Sequence, residues 1–199
     1  MSVVEFVGEG VELTQRQRWS HLLTILLGIV SIVIGIGLRD RALNATQRYV
    51  DSQAGIEAEY PLGWLLDTGA DYIFRVRDMA AAGFKTTIQV SVQPVSTEMT
   101  ENDVLTSISL RRSQVLTAYN PVAPESFVMP NEEIAVAARH AFVATDLNPF
   151  LESVPVVVLG IDILTIKGGQ VLVVTFRASA ELYDEFFPIF ERFLGDLIF

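Results

Sequence analysis

From Leu22 to Leu38 the chain reads LLTILLGIVSIVIGIGL, seventeen consecutive residues without a charge. A helix or strand at the surface of a water-soluble domain keeps polar residues on its solvent side, and this run keeps almost none. With Trp19 counted as an interfacial residue, the stretch reaches the roughly 20 residues a helix needs to cross a bilayer core. A secretory leader is the competing reading. Leader apolar regions run to roughly 7–15 residues and lead into small residues at a cleavage site. Here the charged triplet Arg39-Asp40-Arg41 follows instead, so a retained transmembrane anchor is expected. Arg16 and Arg18 flank one end and Arg39, Arg41 and Arg48 the other, so loop charge does not set the orientation.

Trp19, Arg39 and Arg41 mark the expected membrane interfaces. Thr24, Gly28, Ser31 and Gly35 are spaced by 4, 3 and 4 residues, which puts four small side chains on one side of the helix where a partner helix can approach. His21, at the boundary, reads as an interfacial polar residue rather than as a ligand to a partner's redox group.

The rest of the chain is acidic. Overall charge is −10, and the residues after Leu38 carry 12 Lys/Arg against 21 Asp/Glu. Such a surface is a poor match for nucleic acid or anionic headgroups. The absence of cysteine excludes disulfides, thiolate metal sites, covalent c-type haem and a Cys nucleophile.

Patterning divides the chain into a polar tail (1–18), a membrane helix with a helical extension (19–48) and an extramembrane domain (49–199). IEAEY (56–60), DYIFRVRD (71–78) and TTIQVSVQPV (86–95) alternate like strands. Thr100 opens a helix expected to run to Tyr119, with acids in its first turn and Arg111 and Arg112 late. EIAVAARHAFVATD, VPVVVLGIDILTI and GQVLVVTFRAS are strand candidates, and Gly168-Gly169 signals a hairpin between the last two. Leu182, Phe186, Phe190, Phe193 and Leu197 recur at helical spacing in the final segment, which contains Pro188. This order predicts α+β architecture: one transmembrane helix, then an antiparallel sheet flanked by helices.

Residues 65–71, LLDTGAD, match the catalytic string of retropepsin-like aspartic proteases. That chemistry needs two carboxylates sharing a proton, so a single motif demands a symmetric dimer through Asp67. VVVLGIDIL (156–164), which superficially resembles the late apolar-Gly element, places Gly160 93 residues beyond Asp67, with a charged helix between and no glycine-rich flap. Asp67-Thr68-Gly69 therefore reads better as a turn before DYIFRVRD. The P-loop, GxSxG, HExxH and dinucleotide motifs are absent, and the other histidine, His140, falls in a strand candidate.

YVDSQAGIEAEYPLGW (49–64), FRVRD, KTTIQVSVQPV, and an ending in which a Thr-Phe strand leads to a Tyr-containing helix and terminal Phe together resemble the PsbP-like domain family across about residues 49–199. The resemblance implies an exported, non-enzymatic domain acting as an accessory or assembly subunit of photosynthetic or other membrane complexes. For this chain it implies a single-pass inner-membrane subunit of a bacterial electron-transfer assembly, of the alternative complex III type, with the C-terminal domain on the periplasmic side. Its partners would be other subunits and the bilayer, with no cofactor and no metal-binding residues carried across. Trp64 reads as a core anchor. Tethered protease and anchored sensor or binding module are the alternatives.

Overall fold

The computed structural model describes residues 15–81, 83–96, 98–145 and 154–199. The chain forms two compact units, Met1–Ala45 and Thr46–Phe199. The expected tail lies almost wholly outside the described residues.

The first unit is helix α1, Gln15–Leu43. Its segment Trp19–Ala42, 24 residues with a mean hydropathy of 2.4, is long and apolar enough to cross a membrane, and none of it is buried within the protein. At 1.5 Å per residue that segment is about 36 Å long, against a hydrocarbon core of about 30 Å. The helix continues past Arg39 as expected but stops at Leu43, short of residue 48. The Asn44 backbone N–H and side-chain amide both donate to the Asp40 carbonyl, at 3.0 and 2.8 Å, closing the helix. The following residues TQRYVD favour an extended chain and become strand β1 (Thr46–Asp51).

In the second unit, β1 pairs antiparallel with β2 (Ile56–Pro61). The Asp51 carboxylate accepts the Gln53 and Ala54 N–H groups in the connecting turn, and Gly55 supplies a φ of +68°. The main sheet contains β3 (Leu65–Gly69), β4 (Tyr72–Arg77), β5 (Thr87–Pro94), β6 (Thr117–Pro121), β7 (Glu125–Val128), β8 (Ile134–Ala144), β9 (Val156–Lys167) and β10 (Gln170–Ser179). The spatial order is β3-β4-β5-β10-β9-β8-β6, with β7 also paired to β8, and every pairing is antiparallel. Gly168 and Gly169, with φ of +60° and +78°, close the β9–β10 hairpin as the sequence signalled.

Two cores cover the two faces of the sheet. On one, helix α3 (Tyr183–Asp196) buries Phe190, Phe193 and Leu194 against Phe74, Val76, Ile88, Val90, Ile161 and Phe176. Phe190 stacks on Phe176 with ring centroids 4.9 Å apart, and Pro188 lies inside this helix. Trp64 packs at the edge of the same core, 6.0 Å from Phe186. On the other face, helix α2 (Glu101–Val115) sets Val104 and Leu105 on Ala138, Leu164, Val171 and Val173. Thr100 caps α2 reciprocally with Asp103.

Two further differences from the sequence reading are local. Helix α2 stops at Val115, not Tyr119, because Leu116 turns extended and Thr117–Pro121 pairs with β8. LLDTG is a strand rather than a turn: Leu65–Asp67 pair with Arg77–Arg75, and the reversal falls at Gly69–Tyr72.

Candidate functional site

The α2 face of the sheet is unusually polar beyond its small apolar patch. Register places Ala138, Asp162, Thr175, Gln89, Arg75 and Asp67 side by side across six strands. Directly paired residues share a face, so these side chains form one row.

Asp162 is the centre of the row. Its side chain is 2% exposed, a position a carboxylate occupies only when fully partnered. Arg112 reaches it from the last turn of α2 in a two-pronged contact: Nη2 donates to Oδ1 at 2.8 Å and Nη1 donates to Oδ2. Thr175 Oγ1 donates to Oδ1 at 2.6 Å, and His140 Nδ1 lies 3.3 Å from Oδ2. Burial opposes ionisation of Asp162, but the His140 hydrogen bond and the Arg112 charge outweigh it and hold the carboxyl well below its ordinary range. For His140, burial prevails over the pull of Asp162 and lowers the imidazole, favouring the neutral ring. A neutral ring donating through Nδ1 to Asp162 leaves Nε2 as an acceptor.

His140 is seated by the backbone beside it. A Cβ on Gly160 would fall 2.4 Å from Nε2, so only glycine at that position admits the ring. The Phe142 ring stacks 6.2 Å away and the Tyr119 ring lies 5.7 Å away.

At the other end of the row, Arg75 Nε and Nη2 donate to Asp67 Oδ1 and Oδ2 at 3.2 and 3.0 Å, and Arg77 Nη2 donates to Oδ2 at 2.7 Å. The Arg75 hydrogen bonds lead in holding the Asp67 carboxyl below its ordinary value. Asp67 is thus kept ionised by two arginines, the reverse of the shared-proton state an aspartic dyad uses.

The sequence-predicted residues fall in both units. Thr24, Gly28, Ser31 and Gly35 occupy one side of α1 and are all exposed, with nothing within 4 Å of a Cβ added at either glycine. Thr24 Oγ1 donates to the Ser20 carbonyl at 2.9 Å. Trp19, Arg39 and Arg41 lie towards the ends of the apolar segment. The Arg112–Asp162–His140–Thr175 cluster was not anticipated. Its signal was the lone acid in VVVLGIDILTI, since a charge inside an apolar strand requires partners elsewhere. Among the described residues, no three His, Cys, Asp or Glu side chains converge as metal ligands.

No protein-family model matches the chain, and no curated protein matches it significantly. Solved structures do share its architecture. Cyanobacterial PsbP (CyanoP) from Synechocystis sp. PCC 6803 matches with a TM-score of 0.54 at 16% identity, covering 77% of this chain and 92% of that one. LpqN of Mycobacterium tuberculosis, involved in cell envelope biogenesis, matches with a TM-score of 0.50 at 10% identity, covering 77% and 89%. The chain therefore has a PsbP-like α+β fold preceded by an apolar helix of membrane-spanning length.

Proposed function

We propose that this chain is a non-catalytic, single-pass accessory or assembly subunit of a larger bacterial membrane complex. The observation that carries the reading is α1, an apolar helix with no face buried within its own protein. Such a surface needs lipid or another helix to cover it. The small-residue side formed by Thr24, Gly28, Ser31 and Gly35 is the docking side, where close backbone approach substitutes for the missing hydrophobic drive between helices in lipid. In this reading the helix is retained in the inner membrane, Trp19, Arg39 and Arg41 sit at its interfaces, and the folded unit lies on the periplasmic side. The envelope role stated for LpqN, which shares the fold, fits that placement.

The extramembrane unit contributes a rigid surface rather than chemistry. Arg112, His140 and Asp162 are committed to one another, and Asp67 is committed to Arg75 and Arg77. The electron-transfer assignment, to a respiratory or photosynthetic assembly of the alternative complex III type, follows from the PsbP-like character of the domain. Replacing Gly28→Leu together with Gly35→Leu tests the docking side: partner subunits should no longer co-purify with the variant, while it stays in the membrane. Unchanged co-purification would overturn the assignment of that face.

A further inference from the structure

Among the described residues, four polar side-chain atoms are buried without a hydrogen-bond partner: Arg77 Nε, Thr86 Oγ1, His140 Nε2 and Arg177 Nε. Three of the four belong to a single row across the sheet. Register pairs His140 with Gly160, Gly160 with Arg177, Arg177 with Thr87, and Thr87 with Arg77. This row runs beside the one that contains Asp162 and Asp67, on the same face.

Arg177 is the anomaly within it. Among the described residues, Arg48, Arg75, Arg77, Arg112, Arg139, His140 and Lys167 make the contacts to carboxylates, and Arg177 makes none. Its guanidinium lies 5.7 Å from the Phe142 ring. Burial, with the Arg112 charge nearby, outweighs the attraction of Asp162 and brings Arg177 down to about 10, so it is still a cation at neutral pH. A poorly hydrated cation with no carboxylate in direct contact is costly; Asp162 attracts Arg177 from a distance, but both aspartates on this face are hydrogen-bonded to other arginines. Asp162 is taken by Arg112 and Asp67 by Arg75 and Arg77. With His140 neutral, these four arginines and two aspartates leave two positive charges in excess, in a chain whose overall charge is −10.

The row is also reachable. Helix α2 packs on β6, β8 and β9 and meets β10 at Val171 and Val173, whereas Arg177 lies further along β10 and Arg77 stands on β4. The side chains of Arg75 and Arg77 keep 30% and 32% of their exposure. Arg77 and Arg177 are two strands apart, roughly 10 Å between Cα atoms, a gap that two arginine side chains close from opposite sides. We propose that Arg177 and Arg77 form a binding site for a small oxyanion, a carboxylate or a phosphate-type group, held over Thr87. The guanidinium fork suits either, because both present paired oxygens to parallel N–H donors. This site rests on the sheet geometry alone and is independent of the partner complex.

The test is calorimetric titration and thermal unfolding of the full chain in detergent, with phosphate, sulfate and succinate each compared with chloride at equal ionic strength. At least one oxyanion should bind saturably with one site per chain and raise Tm, and whether phosphate and sulfate or succinate does so decides the class. Arg177→Met should weaken that binding at least tenfold. Without anion it should melt no lower than the parent, since it removes a buried charge that no carboxylate contacts directly. Arg77→Met, at the more exposed end of the row, should show the same loss of binding, and Arg48→Met, a surface charge paired with Glu57, should show none. No oxyanion binding beyond chloride, or undiminished binding by Arg177→Met and Arg77→Met, would overturn the site.

Discussion

Replacing Asp162 by asparagine keeps its shape and removes its charge. The change leaves Arg112, whose side chain is 13% exposed, with its principal partner neutralised, and it forces the new amide to place N–H groups beside existing donors. Breaking a buried pair from one side costs about 3–5 kcal/mol. For a folded unit of this size each kcal/mol moves Tm by about 2–4 °C, so a fall of about 6–20 °C is expected. The assay is thermal unfolding followed by Trp64 fluorescence and near-ultraviolet circular dichroism in detergent, with Arg112→Met and the double variant completing a cycle. The double variant should melt above Asp162→Asn, because it removes the stranded charge as well. A fall below about 2 °C for Asp162→Asn would refute the view that this cluster organises the α2 face.

His140 makes the same cluster sensitive to pH. Its folded value lies below the ordinary 6.5, so below that pH the unfolded chain binds a proton that the folded chain resists, and stability declines as pH falls. Asp162 adds a second decline below its ordinary value of 3.8, completed as its depressed folded value is passed. Tm should therefore be lower at pH 5 than at pH 7.5, and His140→Gln should remove most of that difference; an identical decline in the variant would show that the proton goes elsewhere. Gly160→Ala should cost about 1–3 kcal/mol, as overpacking does, because its Cβ meets the imidazole at 2.4 Å. In a His140→Ala background the same substitution should cost little, which a denaturant titration of the four variants measures.

The elements with strong periodicity were readable from sequence. TTIQVSVQPV alternates because Ile88 and Val90 face the α3 core while Gln89 faces the polar side, and LYDEFFPIFERFL shows its Phe190 and Phe193 stripe plainly. The apolar run of α1 was equally plain, since its length and uncharged composition alone mark it as a helix of membrane-spanning length. Segments decided by distant partners were harder. TAYNP reads as the tail of a helix until β8 is there to pair with it, and TQRYVD becomes a strand through β2 and through Tyr49 packing 4.4 Å from Phe74. LLDTG matches a catalytic string and reads as a turn, because the string alone does not show that it pairs with the next strand, where Arg75 and Arg77 neutralise Asp67 across the hairpin. The cluster was hidden for the same reason: Arg112, His140, Asp162 and Thr175 come from four elements, and only the sheet register brings them together.

As a proposed accessory subunit, this chain should be a built-in part of a membrane assembly. The most direct test of this is to solubilise the native membrane in mild detergent, capture the chain, and record the mass, subunit content and visible absorption of what accompanies it. A stoichiometric assembly much larger than the 22.0 kDa chain is expected, with the haem or pigment absorption of an electron-transfer complex. Recovery of the chain alone, at the mass of a monomer or dimer in its detergent belt, would contradict it.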